Sequence, residues 1–297
     1  MNALAWAVER AERGITAPVQ FAEPDDFRAA TERFLPDVRR ACDRIIMAPD
    51  AELGLDSLLD CGALTTMLPE VKALVGFGDG EWRHKDVWKH TKQVVRQAVP
   101  RIEVRWAALL HDIGKVKTRT ITPDGEVHFF GHAEVGARMF DRLDRRLPLF
   151  TSEPALKTSV RFLILHHLRA SQYDSSWSDS AVRRFAREMG DCLDNLFALS
   201  RADITTKRPE KKKKGLRQIS ELAERVQKLR EIDAQVPPLP SGIGDEIMKT
   251  FGIPPSRKIG ELKKALEAAI DAGEIPSHEN SEFYLNFLRE NATRFFG

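Results

Sequence analysis

The sequence predicts an all-α fold with one small β-hairpin. Three observations lead there. Apolar residues recur at helical spacing along most of the chain. Prolines and glycines cut that pattern into segments of helix length. One stretch, residues 118–130, instead sets β-forming residues on both sides of a Pro-Asp-Gly turn. With 297 residues, 42% hydrophobic and 30% charged, the composition is that of an ordinary soluble chain long enough for more than one compact unit. A net charge of +2 gives no global attraction to nucleic acid, so that argument rests on local basic clusters. Cys42, Cys61 and Cys192 are isolated thiols without a Cys-x-x-Cys pair, which fits a reducing compartment and excludes a zinc ribbon. No signal peptide is expected from the charged first twenty residues. There is no membrane span of about 18 apolar residues, and the expected location is cytoplasmic.

Residues 1–80 read as a helical N-terminal segment, with helices over Phe27–Leu35 and Val38–Met47 and leucine-rich packing between Leu53 and Leu68. Pro36, Pro49 and Pro69 mark its boundaries. The Gly76–Gly80 stretch lacks the strand and Gly-Lys-Ser/Thr context of a phosphate cradle and reads as a linker. A chemistry-bearing domain follows over 81–235. Its helices run from Asp86 to Val99 and from Ile102 to Ile113, with Gly114 as the stop of the second. After the hairpin, Gly131-His132 opens a helix to Leu147. Further helices span Ala155–Leu168, Ser180–Met189, Asp191–Thr205 and Leu216–Ile232. Pro237, Pro238 and Pro240 then lead into a helical tail over 236–297, with helices at Ile243–Phe251, Arg257–Ala272 and Glu282–Phe296.

The chemistry concentrates at helix ends. His111 and Asp112 follow the apolar Leu109-Leu110, and burying such a pair is costly without a partner. A divalent metal is the expected partner, because imidazole and carboxylate are ligands for Mn, Fe, Co, Ni, Zn or Mg. Further ligand candidates are His90, His132, His166, His167 and Asp203, the last closing the apolar stripe that carries Ser200. Helical bundles build such sites from side chains on facing helices. Asp112 has two oxygens and can bridge two ions. For His167 a substrate-facing or hydrogen-bonding role stands beside ligation. His84, His128 and His278 are expected at the surface. Trp88 and Trp106 are expected in the core, whereas Trp82 and Trp177 are open to base stacking.

His90, His111-Asp112 and Asp203 together resemble the HD superfamily of metal-dependent phosphohydrolases, with His132 and His166-His167 resembling its two-metal members. More narrowly, Asp86-Val-Trp-Lys-His-Thr91, Leu109-Leu-His-Asp-Ile-Gly-Lys-Val-Lys-Thr-Arg119, Phe130-Gly-His132 and Ile259-Gly-Glu-Leu262 resemble the C-terminal, HD-bearing half of bacterial CCA-adding tRNA nucleotidyltransferases and poly(A)-polymerase-like proteins. The resemblance covers roughly residues 55–297. It implies an HD-domain helical bundle over 81–235 and one or two divalent ions. The activity it implies is that of a phosphatase, 2′-nucleotidase or 2′,3′-cyclic phosphodiesterase on nucleotides or RNA 3′-ends. Asp112 and Lys115 are the expected catalytic residues. Lys115, Arg119, Arg169, Lys207 and Arg208 are the expected substrate contacts. The polymerases' Gly-Ser loop and Asp-x-Asp pair have no counterpart in residues 1–80, where Asp25-Asp26 lacks the loop, so no nucleotidyl transfer is expected. The run Lys211–Lys214 is either a tRNA-backbone contact or a solvated loop. A rival of another class is an RNA-binding module, or a partner of a separate nucleotidyltransferase, with a non-catalytic HD pocket.

Overall fold

The computed structural model of the protein describes residues 3–16, 35–77, 86–235 and 237–296. The expected helix over 27–34, Asp25-Asp26, Trp82, His84 and the end of the Gly76–Gly80 loop lie outside the described residues. Two compact units form: Met1–Gln172 with Asp191–Ile219, and Tyr173–Gly190 with Ser220–Gly297. Among the described residues the architecture is helical apart from a single two-stranded sheet. No helix there is long and apolar enough to cross a membrane.

The first unit begins with α1 (Ala3–Arg13), α2 (Leu35–Met47), α3 (Ala51–Asp60), α4 (Ala63–Met67) and α5 (Pro69–Lys72). α1 packs on both α2 and α3. Gly54 permits the closeness: a Cβ there would stand 2.7 Å from the side chains of Ala11 and Ile45. The chain continues through α6 (Val87–Gln97), α7 (Ile102–Leu110), α8 (Lys115–Thr118), β1 (Thr120–Ile121), β2 (Val127–His128), α9 (His132–Arg146) and α10 (Pro154–His166). Later come α11 (Asp179–Met189) in the second unit and α12 (Leu193–Ala202) in the first.

α7 is the axis of the first unit. Every residue from Val104 to Leu110 is buried, as expected of a helix whose every position there but Arg105 is apolar. It packs against α2, α6, α10 and α12. Trp106 meets the ring of Phe150 edge-on at 5.1 Å, and its Nε1 donates to Asp43 Oδ1 at 2.7 Å, which satisfies the buried indole. Arg105 is buried too, and its Nη1 donates to the Ile46 carbonyl at 2.9 Å. Trp88 is likewise in the core. α6 starts where Asp86 caps it, accepting from the backbone N–H groups of Trp88 and Lys89. The hairpin pairs Thr120 with His128 and Ile121 with Val127. Its turn places Gly125 at φ +84°, a conformation glycine adopts without steric cost.

α13 (Pro209–Gln235) corrects one expectation. The helix begins at Pro209, not Leu216, so Lys211–Lys214 are helical and exposed rather than part of a loop. Lysine is a good helix former, and proline suits the first helical position. The second unit adds α14 (Ile243–Phe251), α15 (Arg257–Ala272), α16 (Ser281–Glu290) and α17 (Ala292–Phe296). They close a core of their own around Ile247, Leu266, Tyr284 and Leu288. His278 belongs to this unit's architecture, with φ +63° and Nε2 3.8 Å from Asp233. Trp177 packs edge-on against Tyr173 and Phe185 there.

Candidate metal centre

α7 ends at His111, and the chain turns through Asp112 and Ile113 into Gly114. Gly114 is not a stop in the expected sense. Its backbone is right-handed helical, at φ −67° and ψ −23°. The reason for glycine is proximity: a Cβ would lie 2.0 Å from the His132 carbonyl oxygen and 2.7 Å from the Gly136 nitrogen. α9 therefore starts directly against the turn that carries Asp112. That contact delivers His132 to the site.

Six of the seven expected ligands converge. His90, His111 and Asp112 form one group, and Asp112, His132 and His167 a second, with the ligand atoms of each group within 4.8 Å of one another. Asp112 is shared and 1% exposed. Its Oδ2 lies 3.3 Å from His111 Nε2 and 3.5 Å from His90 Nε2, while Oδ1 lies 3.6 Å from His132 Nε2. Asp203, just past α12, brings Oδ1 to 3.0 Å from His90 Nε2 and 3.6 Å from His111 Nε2.

His166 does not join these groups. Neighbours on a helix diverge by about 100°, so only one of the His166-His167 pair can face the cluster. The structure turns His167 inward, 2% exposed, and leaves His166 half-buried with its ring 4.3 Å from Phe162.

The tautomers follow from the partners. His111 Nδ1 lies 2.9 Å from the Ala108 carbonyl, His132 Nδ1 2.8 Å from that of Phe129, and His167 Nδ1 2.8 Å from that of Ile164. A carbonyl only accepts, so each Nδ1 carries a proton, and Nε2 is the ring atom that each histidine can offer to a metal. Those nitrogens face one another: His132 and His167 at 3.1 Å, His90 and His111 at 3.4 Å. Two ligand atoms each about 2.0–2.1 Å from one ion stand about 3 Å apart across a right angle. The donor set therefore fits a divalent cation in each group.

The electrostatics agree. Burial pulls the His111 imidazole down, but Asp112 and Asp203 outweigh it and hold it up at about 10. Burial also opposes ionisation of Asp112, and the His111, Lys115 and His90 charges overcome it and keep that carboxyl well below its usual range. Asp203 is held low against burial by His111 and His90. Burial, joined by the His111 charge, pushes His167 down to about 4, and burial lowers His132. The carboxylates thus draw positive charge into a pocket where two imidazoles resist carrying it as protons.

Of the expected substrate contacts, Lys115 reaches the site. Its Nζ donates to Asp112 Oδ2 at 2.7 Å and sits 5.6 Å from the Phe129 ring centre. The Arg119 guanidinium lies 5.8 Å from the Phe77 ring centre, and its buried Nε has no hydrogen-bond partner among the described residues. Arg169 is half-buried on the turn after α10. Lys207 and Arg208 are exposed ahead of α13.

Sequence reasoning missed Thr205. Its hydroxyl, on a residue 5% exposed, lies 2.8 Å from His90 Nδ1. Alone among the four imidazoles, His90 has its Nδ1 held by a side chain rather than by the carbonyl three residues back. Thr205→Val is expected to weaken divalent-metal affinity by roughly 10- to 100-fold, the usual consequence of losing an outer-shell partner. Thr205→Ser should stay near wild type. Calorimetric metal titration decides, and equal affinity in all three proteins would remove Thr205 from this role.

The HD domain family matches residues 87–234. The chain is 30% identical over 256 residues to the A-adding tRNA nucleotidyltransferase of Deinococcus radiodurans, an alignment covering 84% of this chain and 57% of that protein. It is 30% identical over 261 residues to the CC-adding tRNA nucleotidyltransferase of Thermus thermophilus, covering 85% and 56% respectively. A multifunctional CCA protein of Ectopseudomonas mendocina is 34% identical over 134 residues, or 43% of this chain and 31% of that protein. The chain thus spans little more than half the length of the first two relatives.

Proposed function

Since this chain belongs to the HD-domain family and is homologous to the HD half of tRNA nucleotidyltransferases, we propose that it is a metal-dependent phosphohydrolase acting on nucleotides or RNA terminal phosphates. The chemical domain is assigned to residues 81–235, which enclose the family match. The observation that carries the reading is the shared Asp112, whose two oxygens face two separate imidazole groups. His90, His111, Asp112 and Asp203 would hold one ion, and Asp112, His132 and His167 a second. A divalent ion there supplies Lewis acidity and neutralises phosphate charge. The remaining work falls to the chain. The carbonyl-anchored histidines keep their Nε2 atoms aimed without rearrangement. Lys115, pivoting from Asp112, and Arg119 place positive charge where phosphoryl oxygens gain negative charge. Arg169, Lys207 and Arg208 are assigned to longer substrates.

RNA recognition is a second reading, favoured by the four exposed lysines on the first turns of α13. In this view Lys211–Lys214 contact a tRNA or RNA backbone, or the domain serves a separate nucleotidyltransferase. A tRNA-linked role would place the protein in the cytoplasm. Both readings meet in one experiment. Nucleoside 2′-, 3′- and 2′,3′-cyclic phosphates and a short RNA ending in a cyclic phosphate are screened with Mn, Ni, Co, Mg, Fe and Zn. Metal-dependent release of phosphate or opening of the cyclic ester is expected. Apparent affinity for the RNA should fall with added salt more steeply than that for the mononucleotide. No turnover with any metal, alongside salt-sensitive RNA binding, would leave the binding module as the function.

A further inference from the structure

We propose that Phe130, stacked on His128 at the end of the hairpin, is the platform for the nucleobase of the phosphate ester. This rests on the phosphohydrolase reading and specifies its substrate class. Phe130 and Ile121 are the two most exposed large apolar side chains among the described residues, at 78% and 60%. Burying a phenyl ring is favourable, and this ring forgoes most of that gain. It is nonetheless oriented. His128 and Phe130 lie nearly parallel, with ring centres 5.0 Å apart and planes at 15°. One face of Phe130 is thus supported and the other is open.

The platform is fixed to the metal centre by backbone. Phe130 stands two residues before His132. The intervening turn is closed by the Phe129 carbonyl, which accepts from both the backbone N–H and the Nδ1–H of His132. Cations flank the same turn: Lys115 over Phe129, and Arg119 over Phe77, whose ring lies 6.2 Å from that of Phe129. A ligand that matches this order carries a flat π-face joined to a phosphate. That is a nucleotide, free or at an RNA end. Two side chains make too small an apolar patch for a protein partner. Stacking alone reads no hydrogen-bond pattern, so the platform accepts any base.

The test compares wild type, Phe130→Ala and Phe130→Trp. Stacking on an aromatic side chain is worth about 1–3 kcal/mol per base, or roughly 5- to 150-fold. Phe130→Ala should raise KM for a nucleoside 2′,3′-cyclic phosphate by a factor in that range, with kcat nearly unchanged. KM for glycerol phosphate, which has no base, should not move. Phe130→Trp should restore nucleotide KM. An unchanged nucleotide KM in Phe130→Ala, or an equal rise for glycerol phosphate, overturns the platform and leaves the hydrolase reading standing. If wild type hydrolyses no ester, the platform is still tested by titrating Phe130→Trp with a nucleoside monophosphate. Fluorescence quenching beyond that of wild type supports it, and no added quenching overturns it.

Discussion

Asp112→Ala is expected to abolish metal loading and phosphate-ester hydrolysis together. Among the described residues no other side chain belongs to both imidazole groups. Removing it deletes one oxygen from the His90–His111 side and one from the His132–His167 side. It also frees Lys115 and removes the main source of the charge that holds His111 up. A single-group ligand such as His167 should behave differently, since His167→Ala leaves the other group intact. The measurement is metal content by elemental analysis alongside turnover, with circular dichroism to confirm folding. Turnover retained by a folded Asp112→Ala protein would end the assignment.

The second large effect is expected at Gly114. Gly114→Ala requires no unusual backbone conformation, so any cost is steric. The Cβ would sit 2.0 Å from a backbone oxygen and 2.7 Å from a backbone nitrogen, and backbone cannot rotate aside as a flexible side chain can. Overpacking of this kind costs about 1–3 kcal/mol or more. At roughly 2–4 °C per kcal/mol for a domain of this size, Tm should fall by about 2–12 °C. Metal affinity should fall as well, because the displaced segment carries His132. Gly260→Ala is the control. It lies within α15 with nothing near its Cβ position, and should be neutral or slightly stabilising. Equal Tm values for the two variants would show that α9 can back away from the turn.

The fold was legible wherever amphipathic spacing met explicit punctuation. α14 and α15 fall at the expected residues because Gly252 and Gly273 end them in left-handed conformations and Pro254-Pro255 separates them. The start of α13 was not legible, since a lysine run has no apolar period to read. The cluster of His90, His111, Asp112, His132 and Asp203 is visible in the sequence as acids and imidazoles at helix ends or on inward-facing stripes. Choosing between His166 and His167 needed one further step. Val160, Leu163 and Ile164 are buried and precede His167 by seven, four and three residues, so the stripe itself names the inward histidine. Thr205 carries no comparable signal, because its role is defined by a contact with a residue 115 positions away. Gly114 reads in the sequence as helix punctuation, a local property, whereas what demands glycine there is the close approach of α9, a tertiary one.

The three histidines anchored to carbonyls within their own turn have a consequence for how the site tolerates change. Their ring orientation is written into three or four consecutive residues and forms as soon as that turn does. Drift elsewhere in the bundle leaves it untouched. His90 alone borrows its orientation from a distant part of the chain, through Thr205. Evolutionary or engineered change in metal preference therefore has one point of low resistance. A change at Thr205 can retune His90 while the carbonyl anchors of the other three stay fixed.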